Sequence, residues 1–270
     1  MWTALQHFVV ANSPLSYWLI ALLGTSFAVA VYRGFFRARK IQPNGFRWKT
    51  FRNEILFGAI NVAVSGTILA YVTSTWTANG IIAFDKTPTH WWVIGLEYVA
   101  YFFLFDTWFY WFHRLMHVEP IYKWVHKLHH RSTSPNLLTT LSVSPFESLI
   151  NGGFVPLFTA VGTTLFTVHD STMLLIGPTN IIMGLYVHSG YEFLPRWWNK
   201  TWATRWFISA TFHDQHHKYF KWNFGGYTTI WDWICGTVRS RYVQDFEQLK
   251  TRASRPLTPA VAAEGLNPES

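Results

Sequence analysis

Histidine is the side chain that organises this sequence. Nine of the twelve histidines fall in HRLMH (113–117), HKLHH (126–130), HDQHH (213–217) and the single His188. His113 and His117 stand four residues apart; His126, His129 and His130 are spaced three and four apart, as are His213, His216 and His217. Residues at those spacings share a helix face, so each group is expected to aim its ring nitrogens at one place. Imidazole is the commonest metal-binding side chain, and nine rings exceed what one ion can hold. The pattern predicts a two-metal site. Thiolate plays no part in it: the single cysteine, Cys235, lies in the apolar run IWDWICG, where a packed side chain is expected. Imidazole sets suit zinc, copper, iron and nickel, whereas calcium and magnesium prefer oxygen. Nine rings shared by two five- or six-coordinate ions leave positions open, and on iron an open position is where dioxygen binds.

The elements that must carry these rings are membrane helices. Half the residues are hydrophobic and 13% are charged, against about 25% charged in soluble domains. The deficit is concentrated in runs at 15–32, 55–72, 91–112 and 149–168, long enough or nearly so to cross about 30 Å of hydrocarbon. A shorter run at 171–187 contains Gly177-Pro178 and follows the fourth closely, so the pair reads as a hairpin. Basic residues number seven in 33–54, four in 113–148 and ten in 189–270, with Lys86 alone elsewhere. The positive-inside rule places those three regions, and all nine clustered histidines, on the cytoplasmic face of a bacterial inner membrane or endoplasmic reticulum. Orientation and contact with anionic lipid account for the net charge of +8, which removes the case for nucleic acid. His7, His90 and His169 fall on the opposite side; helix rise puts His90 about 35 Å from His113.

The fold expected is therefore all-α: an integral membrane bundle of about four spans, the last two a hairpin, with a cytosolic helical cap holding a dimetal histidine site. One domain over 1–252 is expected, with its motif core at 95–240 and a disordered tail at 253–270. The N-terminus lacks the basic region of a cleaved signal peptide, so the first apolar segment should persist. The stretch PRWWNKTWATRWF (195–207) reads as an interfacial amphipathic helix or as a buried packing segment.

Ionisable groups within spans are costly and usually functional. Asp106 lies seven residues before His113 on the same face, with Tyr110 between them. It is expected to orient an imidazole through its ring N–H. Glu97, about 24 Å from His113 by helix rise, is expected to make a polar contact between helices.

The order HRLMH, HKLHH, single His, HDQHH, set in DTWFYWFHRLMH, HHRSTSPN and HDQHHKYFKWNFGGYTTIWDWICGT, resembles the fatty acid hydroxylase and sterol desaturase superfamily. The likeness runs from about Asp106 to Thr237. It includes Asn223-Phe224-Gly225, Asp232 and Gly236-Thr237 after the last box. The resemblance implies a membrane-bound diiron oxygenase that uses O2 to hydroxylate or desaturate an acyl chain or sterol-like lipid. Zinc is a conceivable substitute in isolated protein. It also implies electrons from a separate donor, cytochrome b5-like or a ferredoxin with its reductase. Carried over by position, His113, His117, His126, His129, His130, His188, His213, His216 and His217 would be the ligands. Asp106, Glu147, Asp214, Asn223 and Asp232 would surround them. One departure stands out: sterol-oxidising members often have His-Pro-x-Glu after the second box, where this chain has Ser144-Pro145-Phe146-Glu147. The substrate thus stays open between sterol and acyl chain.

Two other classes compete. A zinc-dependent membrane lipid hydrolase would need a general base near the metals, with Asp214 or Glu147 as candidates. A metal transporter would need histidines within the spans rather than at one end.

Overall fold

The computed structural model describes residues 47–253 continuously, with 37–42 and, upstream, Leu23, Gly24 and Phe27. The expected first span at 15–32 otherwise lies outside the described residues, as does the tail beyond Ala253. All regular structure among the described residues is helical; extended pairing is limited to isolated bridges. The main helices are α1 (Trp48–Ala78), α2 (Trp91–Met116), α3 (Pro145–Gly152), α4 (Phe154–Leu165), α5 (Asp170–Val187), α6 (Ala210–Tyr219), α7 (Ile230–Ile234) and α8 (Tyr242–Ala253).

The long helices are built inside out. On α1 the buried residues are Glu54, Gly58, Asn61, Ser65 and Gly66. Its opposite side shows Leu56, Ile60, Val64 and Ile68 to the outside. The first runs 54, 58, 61 and 65 with Gly66 beside the last, and the second advances by four, so each is one stripe. On α2, Glu97, Tyr101, Phe105, Asp106, Tyr110 and His113 point inward, while Leu96, Val99, Phe103, Leu104, Trp111 and Leu115 are exposed. Polar stripes facing the interior and apolar stripes facing out suit a lipid surround. By length and composition two stretches can cross a membrane: Trp48–Ala78, mean hydropathy 1.9, and Pro145–Leu165, mean hydropathy 1.2. The second is α3 and α4 joined at Gly153. α2 has the length, at 26 residues, but its two carboxylates and its many tyrosines and tryptophans lower its hydropathy.

α2 packs on α5, α1 on α3 and on the turn Leu137–Thr140, and α5 on α6. An aromatic core of Tyr101, Phe105, Phe154, Phe158 and Tyr227, with Val168 and Ile176, fills the space between α2, α4 and α5. At the far end of α2 from the histidine boxes, Glu97 accepts from the His169 backbone N–H at 3.0 Å and lies 2.6 Å from His169 Nδ1. It is the contact between helices expected of it.

Residues 195–207 are not an amphipathic helix. They hold a single 3-10 turn, Trp198–Lys200, because Thr204 Oγ1 bonds back to the Trp198 carbonyl at 2.5 Å. Such side-chain bonds compete with a helical ladder. Trp202 is nonetheless 82% exposed.

Candidate metal centre

The nine rings converge, but not one group per box. Five nitrogens, from His113, His117, His126, His130 and His216, lie within 4.8 Å of one another, and four, from His129, His188, His213 and His217, form a second set. Helix geometry explains the split. A step of four residues turns about 400°, leaving the two rings about 40° apart, whereas a neighbour is about 100° away. On α6 the i, i+4 pair His213 and His217 therefore stays together, and His126 and His130 likewise share a set. The third ring of each trio, His129 and His216, turns to the other set. The expectation that each box aims at one place is corrected accordingly. The second box is also not an α-helix: a π turn at Tyr122–His126 is followed by a 3-10 turn at His129–Arg131.

Most rings are held from behind. The Nδ1–H of His113 donates to the Phe224 carbonyl at 2.7 Å, His216 to Trp222 at 2.8 Å, His217 to Ser132 at 3.0 Å and His188 to Gly184 at 2.8 Å. His126 donates to Glu147 Oε2 at 2.8 Å. A carbonyl only accepts, so these neutral rings keep their proton on Nδ1 and present a bare lone pair at Nε2. Those nitrogens face one another: His113–His126 3.1 Å, His126–His130 3.0 Å, His117–His216 3.2 Å, His188–His213 2.9 Å and His213–His217 3.1 Å. Converging lone pairs repel unless a cation lies between them. Donors about 2.1 Å from one ion and at right angles stand about 3.0 Å apart, against about 3.4 Å in a tetrahedron. The spacing fits ions of five or six positions, and the donor set fits a transition metal. Among the described residues no carboxylate or thiolate joins either set.

The rings are also dry. Eight of them are 7% exposed or less; His117 is half-buried and marks the rim. Burial lowers the proton affinity of His188 from 6.5 to about 4, and pushes His126, His129, His130, His213, His216 and His217 well down, with mutual repulsion adding to it. Below pH 6.5 the unfolded chain binds protons that the folded one refuses. Stability of the metal-free protein is therefore complete above pH 6.5 and declines as pH falls towards 4, by up to about 1.4 kcal/mol per unit per ring. Melting curves of metal-free protein in detergent between pH 8 and 4.5 should show that decline; a flat profile would mean the rings are wet.

The backbone is strained where carbonyls must return to the rings. Phe220 and Asn223 take φ of 62° and 63°, uncommon for residues other than glycine, and between them the chain turns Trp222 O onto His216. Asp232 clamps the next turn, accepting from Phe224 N at 2.8 Å, Gly225 N at 2.7 Å and Thr237 Oγ1 at 2.7 Å. It thereby fixes the carbonyl that His113 uses. Burial, the largest influence, raises Asp232 to about 6 even though those three donors oppose it. Asn223 donates to Phe212 O at 3.0 Å and accepts from Arg239 N at 2.8 Å. A Cβ on Gly225 would stand 2.1 Å from Thr228 O. Gly225→Ala should accordingly cost about 1–3 kcal/mol and weaken metal retention, measured by melting temperature and metal titration.

Two further residues fall elsewhere than expected. Asp106 touches no imidazole: Oδ1 accepts from Tyr227 N and Thr228 N, each at 2.8 Å, and Oδ2 from Thr228 Oγ1 at 2.5 Å. α2 packs beside the 224–229 turn, and those backbone donors reach the carboxylate first. Asp214 points away from the rings towards Gln42, whose Nε2 donates at 2.9 Å. Ser144, at the departure from the sterol-oxidising motif, caps α3 by accepting from Glu147 N at 3.2 Å, and so sets the carboxylate that His126 meets. Sequence reasoning missed Glu54, whose buried carboxylate holds Ser132, Asn136 and Thr139. It also missed Glu192, which accepts from Thr211 at the start of α6. The signal for Glu54 was present as the polar stripe on α1.

A described region that is helical throughout, with inward polar stripes and nine converging imidazoles, defines a membrane protein of the histidine-box class. The profile of the fatty acid hydroxylase family matches residues 98–237, about half the chain, and the chain belongs to that family within the fatty acid hydroxylase and sterol desaturase superfamily. Methylsterol monooxygenase erg25A of Aspergillus fumigatus is 33% identical over 59% of this chain and 51% of its own length. C-4 methylsterol oxidase erg25 of Schizosaccharomyces pombe is 31% identical over 81% of this chain and 71% of its own. Human cholesterol 25-hydroxylase is 36% identical over 52% of this chain and 50% of its own. The chain thus spans about half the length of two of these relatives. No solved structure matches it.

Proposed function

We propose that this protein is an oxidoreductase: an O2-dependent, membrane-bound lipid oxygenase with two iron ions. The observation that carries this reading is the division of nine imidazoles into sets of five and four with bare nitrogens facing inward at about 3 Å. His113, His117, His126, His130 and His216 would hold one ion, and His129, His188, His213 and His217 the other. Bound there, iron would supply O2 activation and the removal of hydrogen from an unactivated C–H bond, ending in hydroxylation or desaturation. The chain's own contribution is order and dryness. Backbone carbonyls and Glu147 fix five ring tautomers, which keeps each lone pair inward. Phe220 packs 4.7 Å from His130, and Phe224 lies 5.2 Å from His117 and 5.5 Å from His216, walling off water.

The membrane surround and the names of the relatives support a lipid substrate, a sterol or a long acyl chain. About four spans, a hairpin of α4 and α5 and a cytosolic cap agree with the distribution of basic residues. Electrons would come from a separate donor, cytochrome b5-like or a ferredoxin. The stretch 113–131 carries Arg114, Lys123, Lys127 and Arg131 against Glu119 alone, which suits an acidic donor. A zinc hydrolase is disfavoured because both candidate bases are engaged elsewhere, Asp214 with Gln42 and Glu147 with His126.

The test is turnover of membrane lipid extract by iron-loaded protein in nanodiscs, with a chemical reductant and 18O2, read by mass spectrometry. A product gaining one labelled oxygen, or losing two hydrogens only when O2 is present, is expected. Equal turnover without O2 or reductant would rule the oxygenase out.

A further inference from the structure

Glu54 lies on α1, more than seventy residues before the second histidine box, yet it governs the backbone on which two rings of the four-histidine set depend. Its side chain is 3% exposed. Oε1 accepts from Ser132 Oγ at 2.5 Å and from Thr139 Oγ1 at 2.9 Å; Oε2 accepts from Asn136 Nδ2 at 2.5 Å. All three partners sit on the segment 132–140, which has little other regular structure than one 3-10 turn. That segment touches the four-histidine set at both ends. At one end the Ser132 carbonyl accepts the Nδ1–H of His217 at 3.0 Å. At the other, Thr140 Oγ1 donates to Gly184 O at 3.0 Å, the carbonyl that also receives His188 Nδ1–H, and lies 3.4 Å from that nitrogen. The five-histidine set takes its supporting carbonyls and carboxylate from Phe224, Trp222 and Glu147, none of them on this segment.

We propose that Glu54 is a positioning residue for the four-histidine centre alone, acting through Ser132 on His217 and through Thr140 on His188. The assignment rests on the two-metal reading above and adds to it an asymmetry: one centre is braced by α1, the other is not. A carboxylate suits the task because it accepts three hydrogen bonds and offers no proton that would repel a donor. Glutamine at the same place keeps one acceptor for Ser132 and Thr139 but turns an N–H against Asn136 Nδ2. Asn136→Asp reverses that contact, since its carboxylate can accept from the new amide and still cap Leu138 N, which Asn136 Oδ1 now does at 2.9 Å.

The experiment is metal binding by purified full-length protein in detergent: ions per chain after iron loading, and Co2+ titration read by its visible absorption. Circular dichroism and melting temperature serve as the record of folding. Wild type should bind two ions. Glu54→Gln should weaken one of the two sites about 10–100-fold, leave the other unchanged and stay folded. Glu54→Gln with Asn136→Asp should recover that site to within about threefold. A role in folding alone would move the melting temperature and both sites together, with no recovery in the double variant, and would overturn the proposal. So would a folded Glu54→Gln protein that holds two ions at wild-type affinity while the proposed function stands. A wild-type chain that takes up no transition metal would sink the two-metal reading itself.

Discussion

His213→Ala should leave the protein holding one metal ion and oxidising no lipid. His213 belongs to the four-membered set, where its Nε2 lies 2.9 Å from that of His188 and 3.1 Å from that of His217. Removing it leaves three donors and a cavity where a ring stood. The five-membered set keeps every ring. Turnover should fall by more than the roughly 10–100-fold typical of losing a hydrogen-bond partner behind a ligand. His117→Ala is the informative contrast: it takes one ring from five, at the half-buried rim, and should retain two ions at reduced affinity. Metal analysis and lipid mass spectrometry on the two variants check the partition. Two tightly bound ions in His213→Ala would show the rings to be divided differently.

Asp106 carries the second large effect, and its direction depends on the substituent. Asp106→Ala strands two buried backbone N–H groups and one hydroxyl, at about 1–3 kcal/mol each, so a loss of about 3–9 kcal/mol is expected. Asp106→Asn should cost only about 1 kcal/mol. Its carbonyl oxygen can keep both N–H bonds of Tyr227 and Thr228, and its amide can donate to a Thr228 hydroxyl turned to accept. Had Asp106 oriented an imidazole, the asparagine would be the damaging change, because it would disturb the ring tautomer. Melting temperature and metal content of the two variants separate these cases. Equal damage from both would return Asp106 to the metal site.

The rings were legible in the sequence because spacing alone collects them, and hydropathy with basic residues placed them at one end of the helices. Their division was not legible. It sends chain neighbours, His129 and His130, and His216 and His217, to different centres, and no propensity in HKLHH or HDQHH announces that. The braces were hidden for another reason. Phe224 O, Trp222 O, Ser132 O and Gly184 O are backbone groups, which no residue type advertises. Asn223 and Gly225 gave the only local hint, as residues suited to a tight turn. Asp106 was singled out as a costly charge on an apolar helix but given the wrong partner, because its true partners at 227 and 228 are some 120 positions away. Glu54 stands one residue before the apolar run 55–72, and only the fold shows it as the first member of an inward stripe.

The unequal parentage of the two sets has a consequence in time. Four of the five rings in the larger set, His113, His117, His126 and His130, are drawn from eighteen consecutive residues, and only His216 comes from far downstream. The smaller set needs His129, His188, His213 and His217, scattered over nearly ninety. A chain still leaving the ribosome therefore presents four rings of the larger set when only His129 of the smaller has emerged. On that order of emergence the larger set would be the first to offer a cation most of its donors, while the smaller would wait for His188, His213 and His217.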